Sequence, residues 1–217
     1  MQPESPTRLL VLASGNPDKL SEVRSILADR PVRVIPVTDL VPDWVCEETG
    51  VSIEENAVIK ARTASAASGL PAVADDTGLF VAALGGAPGV YSARYAGRNA
   101  GYEDNVRKLL RALLWEEEDS RRAVFRTAAA YYDPSGLALT ASGEVEGTIL
   151  TEPRGTGGFG YDPVFFVQAL GCTYAECPAG SKNRTSHRAR AFEALMELIP
   201  AWQVASELQG GVARPRR

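Results

Sequence analysis

Residue types able to do chemistry gather in a few short stretches of this chain. Ser14-Gly15-Asn16-Pro17-Asp18-Lys19 follows an apolar run, Thr7 to Ala13, and opens a helical pattern. A tight Gly-containing turn into a helix N-terminus presents free N–H groups and the positive end of the helix dipole, which suits an anion. Lys19 lies in the first turn, where its charge opposes that dipole, and a bound phosphate explains why it is tolerated there. The plainer reading is an N-cap at Asn16 beside a surface lysine. The G-x-x-x-x-G-K-[ST] loop is absent.

Asp75 and Asp76 follow the short apolar run Pro71 to Ala74, expected to be a strand that stops at this pair. The loop edge of an α/β sheet is where ligands bind. Neighbouring strand residues face opposite sides, so one aspartate is expected to be structural and the other to face a cleft. Capping of the turn before Gly78 is the plainer alternative. Asp76-Thr77-Gly78 is also the triplet of aspartic proteases, but a second copy would have to come from a dimer partner. The haloacid dehalogenase pattern needs one residue between its two aspartates, and these are adjacent.

Gly155 to Pro163 is glycine-rich, at a considerable cost in chain entropy. Its Phe159 and Tyr161 offer flat faces that can stack on a base; a flexible connection with both rings in the core would look the same. Lys182 to Arg190 holds Lys182, Arg188 and the single histidine, His187, just before a helix capped by Ser186. These make a donor-rich pocket for anionic or carbonyl oxygens, although a lone histidine beside a cap is often no more than that. Adjacent Ser186 and His187 diverge around a helix and cannot form a Ser–His pair. Cys–His nucleophilic catalysis lacks any supporting motif. Glu47 and Glu48, with Asp75 and Asp76, could supply the hard oxygen ligands that Mg²⁺ prefers, or be simple loop charges. Only Lys19, Lys60, Lys108 and Lys182 are lysines in an Arg-rich basic set, which draws attention to each.

The elements that must position these residues alternate between strand and helix. Strands are expected over Thr7–Ala13, Val32–Val37 and Pro71–Ala74, and helices from Pro17 to about Asp29 and from the Ser52/Glu55 capping box to about Ser68. Gly69 and Pro71 end the latter. An amphipathic helix is predicted from Tyr102 to Trp115, followed by a solvated turn through Glu116–Asp119 and the next two arginines. Arg121–Tyr132 and Leu137–Leu150 read as a hairpin joined by Asp133-Pro134-Ser135-Gly136. A strand over Asp162–Val167 and a helix over Ser186–Leu198 complete the order. The fold class is α/β with a mixed sheet whose antiparallel part is the hairpin. Neither a repeat nor a long linker divides the chain, and the tail from Gly210 to Arg217 is expected to fray.

The chain has 217 residues, 45% hydrophobic and 23% charged, so it can build a sizeable core. A net charge of −4 and a pI near 5.2 argue against binding to duplex nucleic acid. No run reaches the roughly 20 apolar residues of a membrane span. Met1 to Thr7 lacks the pattern of a secretory signal. Cys46, Cys172 and Cys177 are expected to be reduced thiols in the cytoplasm.

Taken in order, the strings LASGNPDKLSEV, EETG, EENAVIKAR, ADDTGLFVAALGGAPGVYSARYAG, GTGGFGYDPVFF and KNRTSHRARAF strongly resemble the inosine triphosphate pyrophosphatase family. The resemblance covers roughly residues 8 to 200 and implies one domain spanning 1–217. It implies a long mixed sheet curled into two lobes, flanking helices, and the active site in the cleft between lobes. It also implies a homodimer; that neither nucleic acid nor membrane is a partner is expected from the charge balance and the apolar runs above. The implied reaction is house-cleaning, Mg²⁺-dependent hydrolysis of ITP, dITP or XTP to the monophosphate and pyrophosphate.

Carried over by position, Ser14, Gly15, Asn16 and Lys19 match the triphosphate-binding turn, and Lys60 falls at a binding position. Glu47 matches the metal-binding acid, with Glu48 beside it. Asp76 matches the general base and second metal ligand, and Asp75 the accompanying acid. Thr77 matches a substrate-contacting hydroxyl. Phe159, Gly160, Tyr161 and Asp162 match the nucleoside loop, where Phe159 would stack on the purine. Lys182, His187 and Arg188 match the base and phosphate contacts, and the donors of His187 and Arg188 are expected to accept a 6-oxo purine over adenine. The rivals are a nucleotide-binding sensor without turnover and, resting on Asp76-Thr77-Gly78, a dimeric aspartic protease.

Overall fold

A computed structural model describes residues 8–199. The expectations for residues 1–7, Pro200 and the C-terminal tail lie outside that range. The chain runs β1 (Arg8–Leu12), α1 (Pro17–Ile26), β2 (Val32–Pro36), α2 (Ile53–Ser68), β3 (Ala72–Val81) and β4 (Pro88–Gly89). It continues with α3 (Tyr102–Ala112), β5 (Arg122–Tyr132), β6 (Ala138–Ile149), β7 (Phe165–Val167), β8 (Cys172–Thr173), α4 (Ala179–Thr185) and α5 (His187–Leu198).

One eight-stranded mixed sheet carries the molecule in the order β2-β1-β3-β5-β6-β7-β8, with β4 pairing to β3. β1 is parallel to both β2 and β3, and every other pairing is antiparallel. Along β1 the side chains alternate. Leu10 and Leu12 join Val23, Phe192 and Leu195 under α1 and α5, whereas Val11 and Ala13 join Ile53, Ala57, Ala61 and Ala64 under α2. The Ala-rich face of α2 thus packs close to the sheet, as its composition suggests. A third cluster joins Leu109 of α3 and Leu113 just beyond it to Leu79, Phe125, Tyr161 and Phe165. The core therefore sits on both faces of the sheet at its β1 end and under α3 toward the β7 end.

Local signals place the ends of most elements. Asn16 caps α1 by accepting from the N–H groups of Asp18 and Lys19, Ser52 caps α2, and Ser186 caps α5. Gly69 takes a left-handed φ of 69° to end α2, a conformation glycine adopts without strain.

The structure departs from the sequence reading in several places. β3 does not stop at Ala74 but runs through Asp75, Asp76, Thr77 and Gly78 to Val81. Pairing with β5 over the whole length, from Ala72↔Tyr132 to Val81↔Ala123, satisfies the backbone of these polar residues. Helices α1 and α3 end earlier than expected, at Ile26 and Ala112. Beyond α3, Arg121 is not a solvated turn residue. It is buried, and its guanidinium donates to the carbonyls of Leu113, Ile149 and Leu150, satisfying the orphan end of that helix. Strand β7 begins only at Phe165, because Asp162 and Pro163 belong to a turn. Helix α4, which carries Lys182, was not anticipated. Cys172 and Cys177, expected as free thiols, form a disulfide with Cα atoms 6.0 Å apart. The turn after β8 brings them within bridging distance, and Cys46 is free.

Candidate active site

β1 ends at Leu12, opposite Val73, while β3 continues. The uncovered stretch of β3 starts at Asp75 and Asp76 and forms the floor of a cleft. Asn16 and Lys19 from the turn before α1, Glu48, Arg94, Tyr102, the loop Phe159–Asp162, and Lys182, His187 and Arg188 complete its lining with Asp76 and Thr77. Of the residues expected in a site, Ser14, Gly15 and Lys60 are not on this lining. Ser14 Oγ accepts from the Asn16 N–H, and Lys60 pairs with two of the lining acids.

The two aspartates divide as strand alternation requires. Asp75 faces α1 and α5, where its Oδ2 meets Lys19 Nζ at 3.1 Å and Arg188 Nε and Nη2 at 3.2 and 3.0 Å. Its buried Oδ1 has no partner. Burial alone would raise this carboxyl, but Arg188 and then Lys19 hold it far below the ordinary carboxylate range. Asp76 faces α2, with Oδ1 2.9 Å from Lys60 Nζ and Oδ2 3.4 Å from Asn56. Burial lifts its carboxyl above the usual value, offset in part by Lys60.

Lys60 also lies 3.0 Å from Glu48 Oε1, and Arg94 lies 3.4 Å from Glu48 Oε2. Glu48 enters the cleft, whereas Glu47 is exposed and does not line it. In an irregular loop no periodicity says which of two adjacent acids turns inward. Glu48 and Asp76, bridged by one ammonium, are the carboxylates that could hold a divalent cation. Two carboxylates suit Mg²⁺, which keeps several waters and takes its remaining oxygens from phosphate.

Glu22, missed in the sequence reading, supplies the other hub. It projects from α1, nearly buried, and pairs with Lys182 Nζ at 2.7 Å and with Arg188 Nη1. Its only sequence signal is its place one helical turn after Lys19. Lys182 also pairs with Asp162 and lies 5.0 Å from the Phe159 ring centroid. Asp162 in turn accepts from the Phe159 N–H at 2.8 Å. Gly158, at φ 68°, must be glycine, since a Cβ there would stand 2.1 Å from Asp162 Oδ2. Tyr161 is pinned by its hydroxyl to the Ser92 carbonyl at 2.9 Å.

Arg188 also lines the cleft, its guanidinium carbon 5.6 Å from the Phe159 ring centroid. Its Nε, Nη1 and Nη2 are engaged by Asp75, Glu22 and Thr77, and the side chain is buried. His187 lies on the lining with its ring stacked on Phe125, centroids 4.6 Å apart, and Nδ1 2.6 Å from Thr127 Oγ1. Burial, with Arg188 and Lys182 nearby, holds this imidazole well below its ordinary pKa, so it is neutral. Tyr102, a further lining residue not foreseen, accepts from Asn16 Nδ2 at 2.9 Å and lies 5.7 Å from the Phe159 ring.

The cleft thus brings cations, aromatic faces and an acid pair together on one lining. That arrangement can bind a triphosphate attached to a flat heterocycle and present a carboxylate to a water beside it. The Asp76-Thr77-Gly78 triplet does not resemble a protease dyad, because the partner of Asp76 is an ammonium and not a second carboxyl.

A model of the Ham1 family matches residues 10–198. The chain is 49% identical over 195 residues to a protein of Geobacter sulfurreducens named dITP/XTP pyrophosphatase, covering 89% of this chain and 97% of that one. It is 47% identical to a protein of the same name from Legionella pneumophila, covering 88% and 98%. Among solved structures it is similar to the Staphylococcus aureus Ham1 protein, with a TM-score of 0.78 and 39% identity over 89% of this chain and 99% of that one.

Proposed function

The chain belongs to the Ham1 family, and on that premise we propose that it hydrolyses the non-canonical purine nucleotides ITP, dITP and XTP to the monophosphate and pyrophosphate. This house-cleaning reaction keeps such bases out of DNA and RNA. The observation that carries the reading is the pairing of nearly full-length similarity to dITP/XTP pyrophosphatases with one cleft holding both a cationic turn and a stacking ring.

In this reading Asn16 and Lys19 hold the phosphates, and Lys19 offsets charge on the departing pyrophosphate. Phe159 covers the purine, with Gly160 and Tyr161 shaping its loop. Asp162 and Glu22 fix Lys182 at the pocket wall, and Thr77 offers a hydroxyl to the substrate. Asp76 orients the attacking water and takes its proton at Oδ1 or Oδ2. Glu48 and Asp76 would hold Mg²⁺, which when bound neutralises phosphate charge and acidifies water. Lys60 pairs with both carboxylates and opposes the rise that burial imposes on Asp76. The protein acts as a homodimer, a reading that rests on the family resemblance and is checked by light scattering.

Pyrophosphate release from ITP, dITP and XTP, measured with Mg²⁺ against ATP and GTP, tests the proposal. Binding of ITP without turnover would make the protein a sensor, and release of orthophosphate would place the broken bond elsewhere.

A further inference from the structure

We propose that the Cys172–Cys177 bridge is a thiol–disulfide exchange site, addressed by a dithiol, that sets how tightly the cleft holds its nucleotide. The inference rests on the nucleotide reading above and adds to it a modification site. The bridge encloses Thr173, Tyr174, Ala175 and Glu176, and this short segment is the seat of the glycine-rich loop. Thr173 Oγ1 donates to the Arg154 carbonyl at 2.9 Å. The Gly157 N–H donates to the Ala175 carbonyl at 3.0 Å, and the Ala175 N–H donates to the Asp162 carbonyl at 3.3 Å. A Cβ at Gly155, where φ is 82°, would stand 2.5 Å from the Ala175 carbonyl carbon. Both ends of the loop that carries Phe159 are therefore fastened to the segment inside the bridge. The Tyr174 ring of that segment lies 5.5 Å from Lys182 Nζ, and Cys177 leads through Pro178 into α4, which carries Lys182.

The elements joined by the bridge are short. β8 is the terminal strand of the sheet and pairs with β7 over Phe166↔Thr173 and Val167↔Cys172. Helix α4 has seven residues, and its N-cap is Pro178, whose side chain offers no acceptor to the first N–H groups. Asp76, by contrast, sits on a strand paired with β5 along its whole length, and Lys60 on the sixteen-residue α2. Opening the bridge thus loosens the nucleoside side of the cleft and leaves the acid pair in place. A pocket wall ordered in only a fraction of molecules lowers the apparent affinity by that fraction. The geometry of the hydrolytic step, once the nucleotide is seated, stays the same.

Cys172 is half-buried and Cys177 buried, so an incoming thiolate meets Cys172 Sγ first. It forms a mixed disulfide there as the Cys172–Cys177 bond breaks, and Cys177 leaves as a thiolate that takes up a proton. The second thiolate of the reductant then attacks the reductant sulfur of the mixed disulfide and expels Cys172, which is protonated in turn. Two electrons and two protons pass to the protein, and the dithiol is oxidised to its disulfide. A small disulfide runs the exchange backwards.

Dithiothreitol acting on the folded full-length chain is the probe, and glutathione disulfide re-forms the bridge. Alkylation after quenching and denaturation counts thiols by mass, with one label expected in the bridged form, at Cys46, and three in the reduced form. Reduction should raise KM for ITP by about threefold to thirtyfold, as for a wall ordered in roughly a third to a thirtieth of molecules, with kcat within about twofold. Hydrogen exchange should quicken across residues 154–162 and 179–185 and stay unchanged across β3 and α2. The double variant Cys172→Ser, Cys177→Ser should show the reduced protein's KM and ignore dithiothreitol. A bridge that resists dithiothreitol until the chain unfolds overturns the proposal, as do three labels after glutathione disulfide, an equal KM in both forms, or a loss confined to kcat. These comparisons need only the parent chain, so they decide the matter even if the double variant fails to fold. Failure of both forms to release pyrophosphate from ITP would instead remove the functional reading, while label counts and hydrogen exchange still report whether the bridge governs the loop.

Discussion

Asp76 Oδ1 sits 2.9 Å from the ammonium of Lys60, an ion pair enclosed between β3 and α2. Asp76→Asn keeps the hydrogen-bonding outline and removes both the base and a carboxylate ligand. Turnover of ITP should fall by roughly two to four orders of magnitude, the usual scale of general base catalysis, with the far-UV spectrum unchanged. Near-parental turnover would take Asp76 out of the mechanism.

Glu47 and Glu48 separate cleanly by substitution. Glu48→Gln should raise the Mg²⁺ concentration needed for half-maximal pyrophosphate release and lower the maximal rate, whereas Glu47→Gln should behave like the parent. A metal titration of both variants reads this directly. The reverse order would return the ligand role to Glu47.

Asp75 is matched to a buried guanidinium, so Asp75→Asn leaves Arg188 partly uncompensated. Breaking a buried pair from one side costs about 3–5 kcal/mol, which thermal melts will show. The same pairing has a pH signature. Asp75 and Glu22 both titrate below their ordinary values in the folded state, Glu22 because Arg188 and Lys182 overcome its burial. Their stabilisation is complete above the unfolded carboxyl pKa values of roughly 4. It is lost as pH falls below that toward the folded values. The melting temperature should therefore decline on the acid side, with a shallower slope in Asp75→Asn. An equal slope would show that other carboxylates dominate.

Arg188→Ala removes a hub at the pocket wall. Efficiency on ITP and on ATP should fall by the same factor, accompanied by a lower melting temperature. A selective loss on ITP would assign base reading to Arg188.

Much of this was legible in the sequence because it depends on local periodicity. Alternation along a strand sent Asp75 and Asp76 to opposite faces, and Asn16, Ser52 and Ser186 announced their helices through capping chemistry. What stayed hidden depends on contacts distant in sequence. Glu22 looks like any charge on a surface helix until α4 and α5 bring Lys182 and Arg188 against it. Tyr102 looks like a helix start until its hydroxyl meets Asn16. The run of strand through the Asp75–Gly78 polar stretch requires knowing that β5 lies alongside. Cys172 and Cys177 pair only because the turn after β8 folds back.

The unbroken pairing of β5 with β6, from Arg122↔Thr148 to Tyr132↔Ala138, has a mechanical consequence. The clusters under α1, α2 and α5 and the cluster under α3 both attach to this one ribbon. A continuous ribbon of paired strands offers no hinge between these clusters, so any change in the width of the cleft has to be spread as bending over many residues of β5 and β6.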